Sequence, residues 1–262
     1  MMKKFAFCLL FILIFSSGVL AYHETKVLTL PADGIDFVDI ETGAGECQIE
    51  GVSGLDRIEV TAEIRINNKS EREARKIMKD NLELSLKRRS GRGILKARFN
   101  FNQSLFSIIF GDGAQTGLDI VVRVPENMIL DVEDSSGDLT ISNLIGRLDV
   151  DDSSGDLTIT NVVGQLDVED SSGGLEISNV AGNMDVNDSS GELRLISIGG
   201  DIKIDDSSGN IIVRGVDGSL TIEDSSGSID IDTVDGDVTI REDSSGGVNI
   251  RNVRGIVNNY DE

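Results

Sequence analysis

From Leu130 nearly to the C-terminus, apolar residues come in pairs. Two residues separate the members of a pair, and nine separate one pair from the next: Leu130 and Val132, Leu139 and Ile141, Leu148 and Val150, Leu157 and Ile159. A fifth apolar position follows each second pair, at Leu144, Val162, Val180, Ile198, Val216, Val234 and Val253. Two-residue alternation is the strand period, which turns alternate side chains to one face. Each 18-residue stretch therefore holds two short strands and two turns. A helix is excluded, because a glycine about every nine residues interrupts any amphipathic stripe. One such coil cannot bury its apolar face alone, so the coils must stack. The predicted fold is all-β: a parallel β-solenoid of two-strand, 18-residue coils with two facing sheets and aliphatic ladders between them. Strands about 4.8 Å apart make seven coils roughly 34 Å tall.

The turns carry the most regular polar motif. Asp-Ser-Ser-Gly starts at Asp134, Asp152, Asp170, Asp188, Asp206, Asp224 and Asp243, with steps of 18 residues and one final step of 19. Its glycines, Gly137 to Gly246, form one turn series, and Gly146 to Gly255 form the other. Glycine tolerates the positive φ of a tight corner. The Asp side chain is expected to cap its corner by accepting backbone N–H groups two or three residues on. Arg241 is the extra residue of the long step and should bulge its strand.

Three sections follow from this pattern. Residues 1–21 read as a signal peptide, residues 22–129 as an irregular N-terminal β section and cap, and residues 130–262 as the regular solenoid. Within the middle section, residues 38–54 repeat the coil spacing in worn form. Cys47 there falls in an inward column and should be a buried, inert thiol. Alternation predicts strands over 58–64, 82–86, 94–101 and 118–125. Ser70-Glu71-Arg72-Glu73 reads as a capping box opening a short helix over about 70–79. Phe99, Phe101, Phe106 and Phe110 supply most of the aromatic content of residues 22–129. His23, the lone histidine, is expected at a frayed terminus without a partner. The polar tail, residues 258–262, is a thin cap that leaves end-to-end self-association open.

Lys3 and Lys4, the apolar run from Phe5 to Phe15, and Val19-Leu20-Ala21 make the three regions of a signal peptide, with a mature start near Tyr22. The run is shorter than the ~20 residues of a spanning helix. No second apolar span follows. After cleavage Cys47 is the only cysteine, so no intrachain disulfide forms. The expected location is exported, in the periplasm or at the cell surface.

The formal charge of −22 is not evenly spread. Residues 131–246 hold 27 acids and 5 bases, which accounts for all of it; the rest balances at 19 and 19. Such an array repels nucleic acid and favours cations or a cationic protein or peptide partner. The stacked Asp134, Asp152, Asp170, Asp188, Asp206, Asp224 and Asp243 are the candidate metal ligands, with Ca²⁺ as the hard cation that carboxylates and hydroxyls would suit. A second acidic row, Glu133, Asp151, Glu169, Asp205, Glu223 and Glu242, runs beside them. The competing reading is a solvated acidic edge with diffuse counterions. Eleven bases between Lys69 and Arg98 either bind an anionic polymer, pack on that acidic edge, or are simply solvated. No catalytic residue stands out: the serines recur in every coil and the array lacks histidine, which disfavours a hydrolase or a polysaccharide-active β-helix enzyme. The outward threonines are too irregular for an ice-binding face.

The lead-in Ile120-Val121-Val122-Arg123-Val124-Pro125, with Leu130 and Val132 and the following Ser136-Gly137-Asp138-Leu139, resembles the bacterial putative-adhesin β-strand-repeat family, over about residues 37–257. That family is a domain of unknown function. The resemblance implies an exported β-solenoid of the bacterial envelope and supplies no catalytic residues. The acidic Asp-Ser-Ser-Gly corner departs from the family in its regularity. The expected function is a non-enzymatic structural or binding module, with a Ca²⁺-dependent adhesion or sensing module as the alternative.

Overall fold

A computed structural model describes residues 21–101, 115–243 and 245–260, with only the backbone of Gln115, Glu242 and Asp243. The expected Phe106, Phe110 and nearly all of the signal peptide lie outside these residues. The N-terminal section contains β1 (Ala21–Pro31), β2 (Phe37–Thr42), β3 (Cys47–Val52), β4 (Arg57–Asn67), α1 (Glu71–Asn81), β5 (Leu82–Arg89), β6 (Arg92–Phe99) and β7 (Gln115–Pro125). The array follows as β8 (Ile129–Asp134), β9 (Leu139–Ile145), β10 (Leu148–Asp152), β11 (Leu157–Val163), β12 (Leu166–Asp170), β13 (Gly173–Ala181), β14 (Met184–Asp188) and β15 (Gly191–Ile198). It ends with β16 (Ile202–Asp206), β17 (Gly209–Val216), β18 (Leu220–Asp224), β19 (Ile229–Val234), β20 (Val238–Asp243), β21 (Val248–Val253) and β22 (Val257–Asn259).

The strands form two 11-stranded sheets, ordered β1-β4-β7-β3-β9-β11-β13-β15-β17-β19-β21 and β22-β20-β18-β16-β14-β12-β10-β8-β2-β6-β5. We call them sheets A and B. Neighbouring coils pair in parallel, 18 residues apart and column on column: Leu148 opposes Leu166, Val150 opposes Val168, and Asp152 opposes Asp170. All five predicted apolar columns are buried through the array and loosen only in the last coil, at Val248, Ile250, Val253 and Val257. The expected fold is the observed one.

The corner glycines are required by close approach as well as by φ. Gly191 has φ +151°, and a Cβ there would overlap the carbonyl oxygen of Gly173 one coil away. The second corner keeps its glycines, with Gly146 and Gly164 at φ 156° and 146°, and adds a second device. Asn143, Asn161 and Asn179 adopt left-handed φ of 61°, 57° and 56°. Asparagine tolerates that region better than other non-glycine residues. Their side chains also form a ladder, with Asn161 Nδ2 donating to Asn143 Oδ1 at 3.0 Å and Asn179 Nδ2 to Asn161 Oδ1 at 3.3 Å.

The worn coil stacks directly on the array. Val38 and Ile40 oppose Leu130 and Val132, and Cys47 and Ile49 oppose Leu139 and Ile141. Cys47 is buried, and burial pushes its thiol up to about 12. The chain then departs and returns: β6 pairs in parallel with β2, and β7 with β3, so these two strands lie beneath the worn coil. Antiparallel strands close that end, β5 on β6 and the β1–β4 pair on β7. The helix packs against β1 and β5. Ser70 is its N-cap within a complete capping box, and Ala74, Ile77, Met78 and Asn81 bury one face at helical spacing. β1 is not frayed at its start. Tyr22 is buried in it, and His23 Nε2 lies 3.7 Å from Glu63, so the histidine has a neighbour after all. Arg241 bulges β20 between the pairs Ile222–Ile240 and Glu223–Glu242, as the long step implied. At the opposite end β21 and β22 are the outermost strands of their sheets, where Ile256 is 64% exposed.

Candidate functional site

Sheet B carries the acidic residues in two layers, one facing solvent and one facing inward. In β10 the order is Leu148 in, Asp149 out, Val150 in, Asp151 out, Asp152 in. The pattern repeats in β8, β12, β14, β16 and β18. The Asp-Ser-Ser-Gly aspartates were expected on a solvent-facing edge, and the structure corrects this. Asp134, Asp152, Asp170, Asp188, Asp206 and Asp224 are each no more than 3% exposed. The signal was present in the sequence. Counting by two from Leu130 through Val132 lands on Asp134, so strand parity placed it inward while its charge suggested otherwise. The side chain of Asp243 lies outside the described residues.

Each inward Asp caps its corner. Oδ1 accepts the backbone N–H of the serine two residues on: Ser154 to Asp152 at 3.2 Å, Ser172 to Asp170 at 3.2 Å, Ser190 to Asp188 at 2.9 Å and Ser208 to Asp206 at 2.9 Å. Serine hydroxyls donate to main-chain carbonyls one coil back, as Ser190 does to Ser171 at 3.2 Å. In the worn coil Thr42 stands opposite Asp134 and donates to its Oδ1 at 2.6 Å. Burial is the main cause that pushes these carboxyls up, Asp152 and Asp206 to about 7, Asp134 and Asp188 to about 6. Among the described residues no group of three or more His, Cys, Asp or Glu side chains could hold a metal ion.

The outward layer is where charge meets solvent. β8, β10 and β12 each present two acids outward: Asp131 and Glu133, Asp149 and Asp151, Asp167 and Glu169. Asp185 extends the first row on β14, beside Asn187 in the second. Strands about 4.8 Å apart place these carboxylates within a few ångströms of one another along the stack. Desolvation, then the charges of Asp39 and Asp149, hold the Asp131 carboxyl above its usual range. Few bases answer them. Arg147 bridges Asp149 at 2.8 Å and Asp167 at 3.0 Å, and Lys203 lies 3.8 Å from Asp185. Beyond Asp185 the first row turns to Lys203 and Thr221.

The basic stretch ends these rows at the N-terminal side. Asp39 and Glu41 of the worn coil continue the two acidic rows. Arg92 pairs with Asp39, Lys96 lies 2.6 Å from Glu41, and Arg98 lies 3.0 Å from Glu41. Arg92 also stacks 3.6 Å over the Phe37 ring. Of the three readings of the basic cluster, packing on the acidic edge is the one these three residues follow. Sheet A contrasts with this face. Its outward rows read Thr140, Thr158, Glu176, Arg194, Ile212, Asp230 and Ser142, Thr160, Ser178, Ile196, Arg214, Asp232, with no run of one sign.

A shallow depression of about 370 Å³ lies on sheet B, lined by Asp167, Asn183, Asp185, Asp201, Lys203 and Thr221 among others. It is open and polar.

Solved structures follow the chain at low identity: a putative lipid binding protein from Parabacteroides distasonis (12% identity, 90% of this chain and 96% of that one, TM-score 0.47) and a putative adhesin from Bacteroides fragilis (12%, 90% and 96%, TM-score 0.43). A putative cell adhesion protein from Clostridium sporogenes is similar over 90% of this chain and 98% of its own (13%, TM-score 0.32). No curated protein matches. One family model, Toastrack DUF4097, matches residues 52–255, from the end of the worn coil to the last turn, and the chain belongs to that family.

Proposed function

We propose that the protein is an exported, non-enzymatic, adhesin-like module of the bacterial envelope that binds a cationic protein or peptide on the outer face of sheet B. The observation that carries this reading is the run of outward carboxylates on β8, β10 and β12, which only Arg147 answers from within those coils. Flat, rigid and single-signed, such a face suits electrostatic capture, which fixes on-rate and selectivity more than affinity. The charged N-terminus, apolar run and small-residue site before Tyr22 support export.

The test is binding of a lysine-rich peptide across a salt series. Affinity should fall steeply between 50 and 300 mM salt, roughly tenfold or more given screening within a Debye length of about 10 Å at 0.1 M. A triple variant, Glu133→Gln, Asp151→Asn and Glu169→Gln, should lose most of that binding. The same number of substitutions on sheet A, Thr140→Ser, Thr158→Ser and Ser178→Thr, should not. Binding that ignores salt and the triple variant would sink the proposal. Parallel thermal unfolding with EDTA, Ca²⁺ and Mg²⁺ separates the Ca²⁺-dependent alternative: equal shifts with both ions mean screening, whereas a shift with Ca²⁺ alone favours calcium-dependent adhesion.

A further inference from the structure

The inward aspartates take no part in the outer face, and their geometry leaves a question of chemistry. In Asp134, Asp152, Asp170, Asp188 and Asp206, Oδ1 is hydrogen-bonded while Oδ2 is buried without any hydrogen-bond partner. A buried acceptor with no donor is destabilising, and more so when it is charged. Native folds carry on the order of a few such groups per 100 residues, and here five stand in one column, which calls for an explanation. The groups facing the column are few. Along the stack each Asp acts on the next: Asp134 and Asp170 on Asp152, Asp170 on Asp188, Asp188 and Asp224 on Asp206. Asp151, Asp156 and Asp205 flank it, and Thr42 and the Cys47 thiol sit at its lower end. None of the charged groups acting on these five is a Lys, Arg or His. Among the described residues no basic side chain and no cluster of metal-ligating groups faces these oxygens. A proton can supply the missing donor.

We propose that the inward Asp column is a proton-binding site, a chain in which the protonated carboxyl of one coil donates through Oδ2 to the carboxylate of the next. Each donor takes one proton from solvent, and only its O–H bond is formed. Coils about 4.8 Å apart let facing carboxyls approach the roughly 2.5–2.7 Å of an O–H···O⁻ bond. One proton then satisfies two orphaned oxygens and removes a buried charge. The upward-shifted carboxyls described above are the expected companion of this arrangement.

The sign of the pH effect follows. A free Asp titrates near 3.9; in the folded column Asp134 and Asp188 are pushed up to about 6, Asp152 and Asp206 to about 7, and Asp170 is raised as well. Between these values the folded state binds more protons than the unfolded one, so stability falls as pH rises through 6–7. A salt-bridged aspartate behaves in the opposite way. The module would be firm in an acidified surrounding and loosen as it turns alkaline.

The test is urea unfolding at pH 5, 6, 7 and 8, together with carbon-13 titration of the Asp carboxyls by NMR. In wild type the midpoint should drop from pH 5 to 8, with net uptake of at least one proton on folding near pH 6.5. Asp152→Asn with Asp188→Asn supplies permanent donors and should flatten that drop. The exposed control, Glu133→Gln with Glu169→Gln, should keep it, which separates the column from general acid repulsion. Column carboxyls that all titrate below pH 5, or an Asn variant that keeps the full drop, would overturn the proposal. If the Asn variant does not fold, the wild-type carboxyl titration alone decides.

Discussion

The regular array and the N-terminal section solve the same packing problem by different means. From β8 onward each coil is a template for the next, and columns of identical residues do identical work: leucine in the core, aspartate at one corner, asparagine or glycine at the other. In residues 21–129 the repeat is broken on purpose. The chain lays down the worn coil, leaves it, and returns to place β6 and β7 beneath it, then closes both sheets with antiparallel strands and a helix. A parallel stack has no intrinsic stop, and an open end offers unpaired strand edges. The difference teaches that regularity builds height, while irregularity terminates it. Among the described residues the outermost strands at both ends are looser than the array between them: Leu82, Leu84 and Leu86 of β5 at one end, and Val248, Ile250 and Val253 at the other, are only partly buried.

The contrast breaks most severely where the array leaves no room. Gly191→Ala would drive a methyl group into the Gly173 carbonyl at a φ of +151°. Backbone cannot swing aside as a side chain can, so the expected loss is several kcal/mol, roughly the 3 or more of a strained, overlapping site. Gly247→Ala meets nothing within 4 Å and should cost about 1 kcal/mol or less. Urea midpoints of the two variants check the difference. Equal midpoints would mean that the corner columns are not rigid.

The cap gives the next effect. Ile77 is buried on the inner face of α1. Ile77→Asp would lose its apolar burial, about 1.5–3 kcal/mol, and place a charge against the end of the stack. The expected outcome is local. Hydrogen exchange should speed up in β1, β5 and α1 well before it does in β12 or β14. Uniform loss of protection would show that cap and array unfold as one unit. A milder version is Ser70→Ala, which removes the capping box at about 1 kcal/mol and should raise exchange only in the first turn of the helix.

These two regions were not equally legible in the sequence. The five apolar columns, the capping box, the Cys47 alignment and the Arg241 bulge could all be read, because each rests on a local period or on a spacing from an identical neighbour. The order of the lower coils could not. Nothing local says that 92–99 lies beside 37–42, since that pairing is chosen by the whole stack. The acidic corner was misread for another reason. Its role as a turn cap was legible from Asp followed by Ser-Ser-Gly, but its side depended on trusting parity at Asp134 over the usual cost of burying a carboxylate. Thr42 in the same column of the worn coil was the available hint, since a neutral hydroxyl there is compatible with an inward, protonated neighbour. The outer acidic rows, by contrast, follow directly from alternation at 131, 133, 149, 151, 167 and 169.

The smallest effect sharpens the comparison furthest. Deleting Arg241 returns the last step to 18 residues and should restore continuous pairing of β20 with β18. The loss is one exposed ion pair, Arg241 to Glu223 at 2.9 Å, worth about 0–1 kcal/mol. The gain is removal of a bulge whose extra residue is left out of the ladder. The two should nearly cancel, leaving the urea midpoint close to wild type while amides of β20 become better protected from exchange. Set beside Gly191→Ala, the result would be instructive. The array absorbs a whole inserted residue where the chain can bend outward, yet fails over one carbon where the next coil lies beneath it. Tolerance in this fold would then depend on direction rather than size. If the deletion instead destabilises strongly, the bulge is itself part of how the last coils pack, and the array is less uniform than its repeat suggests.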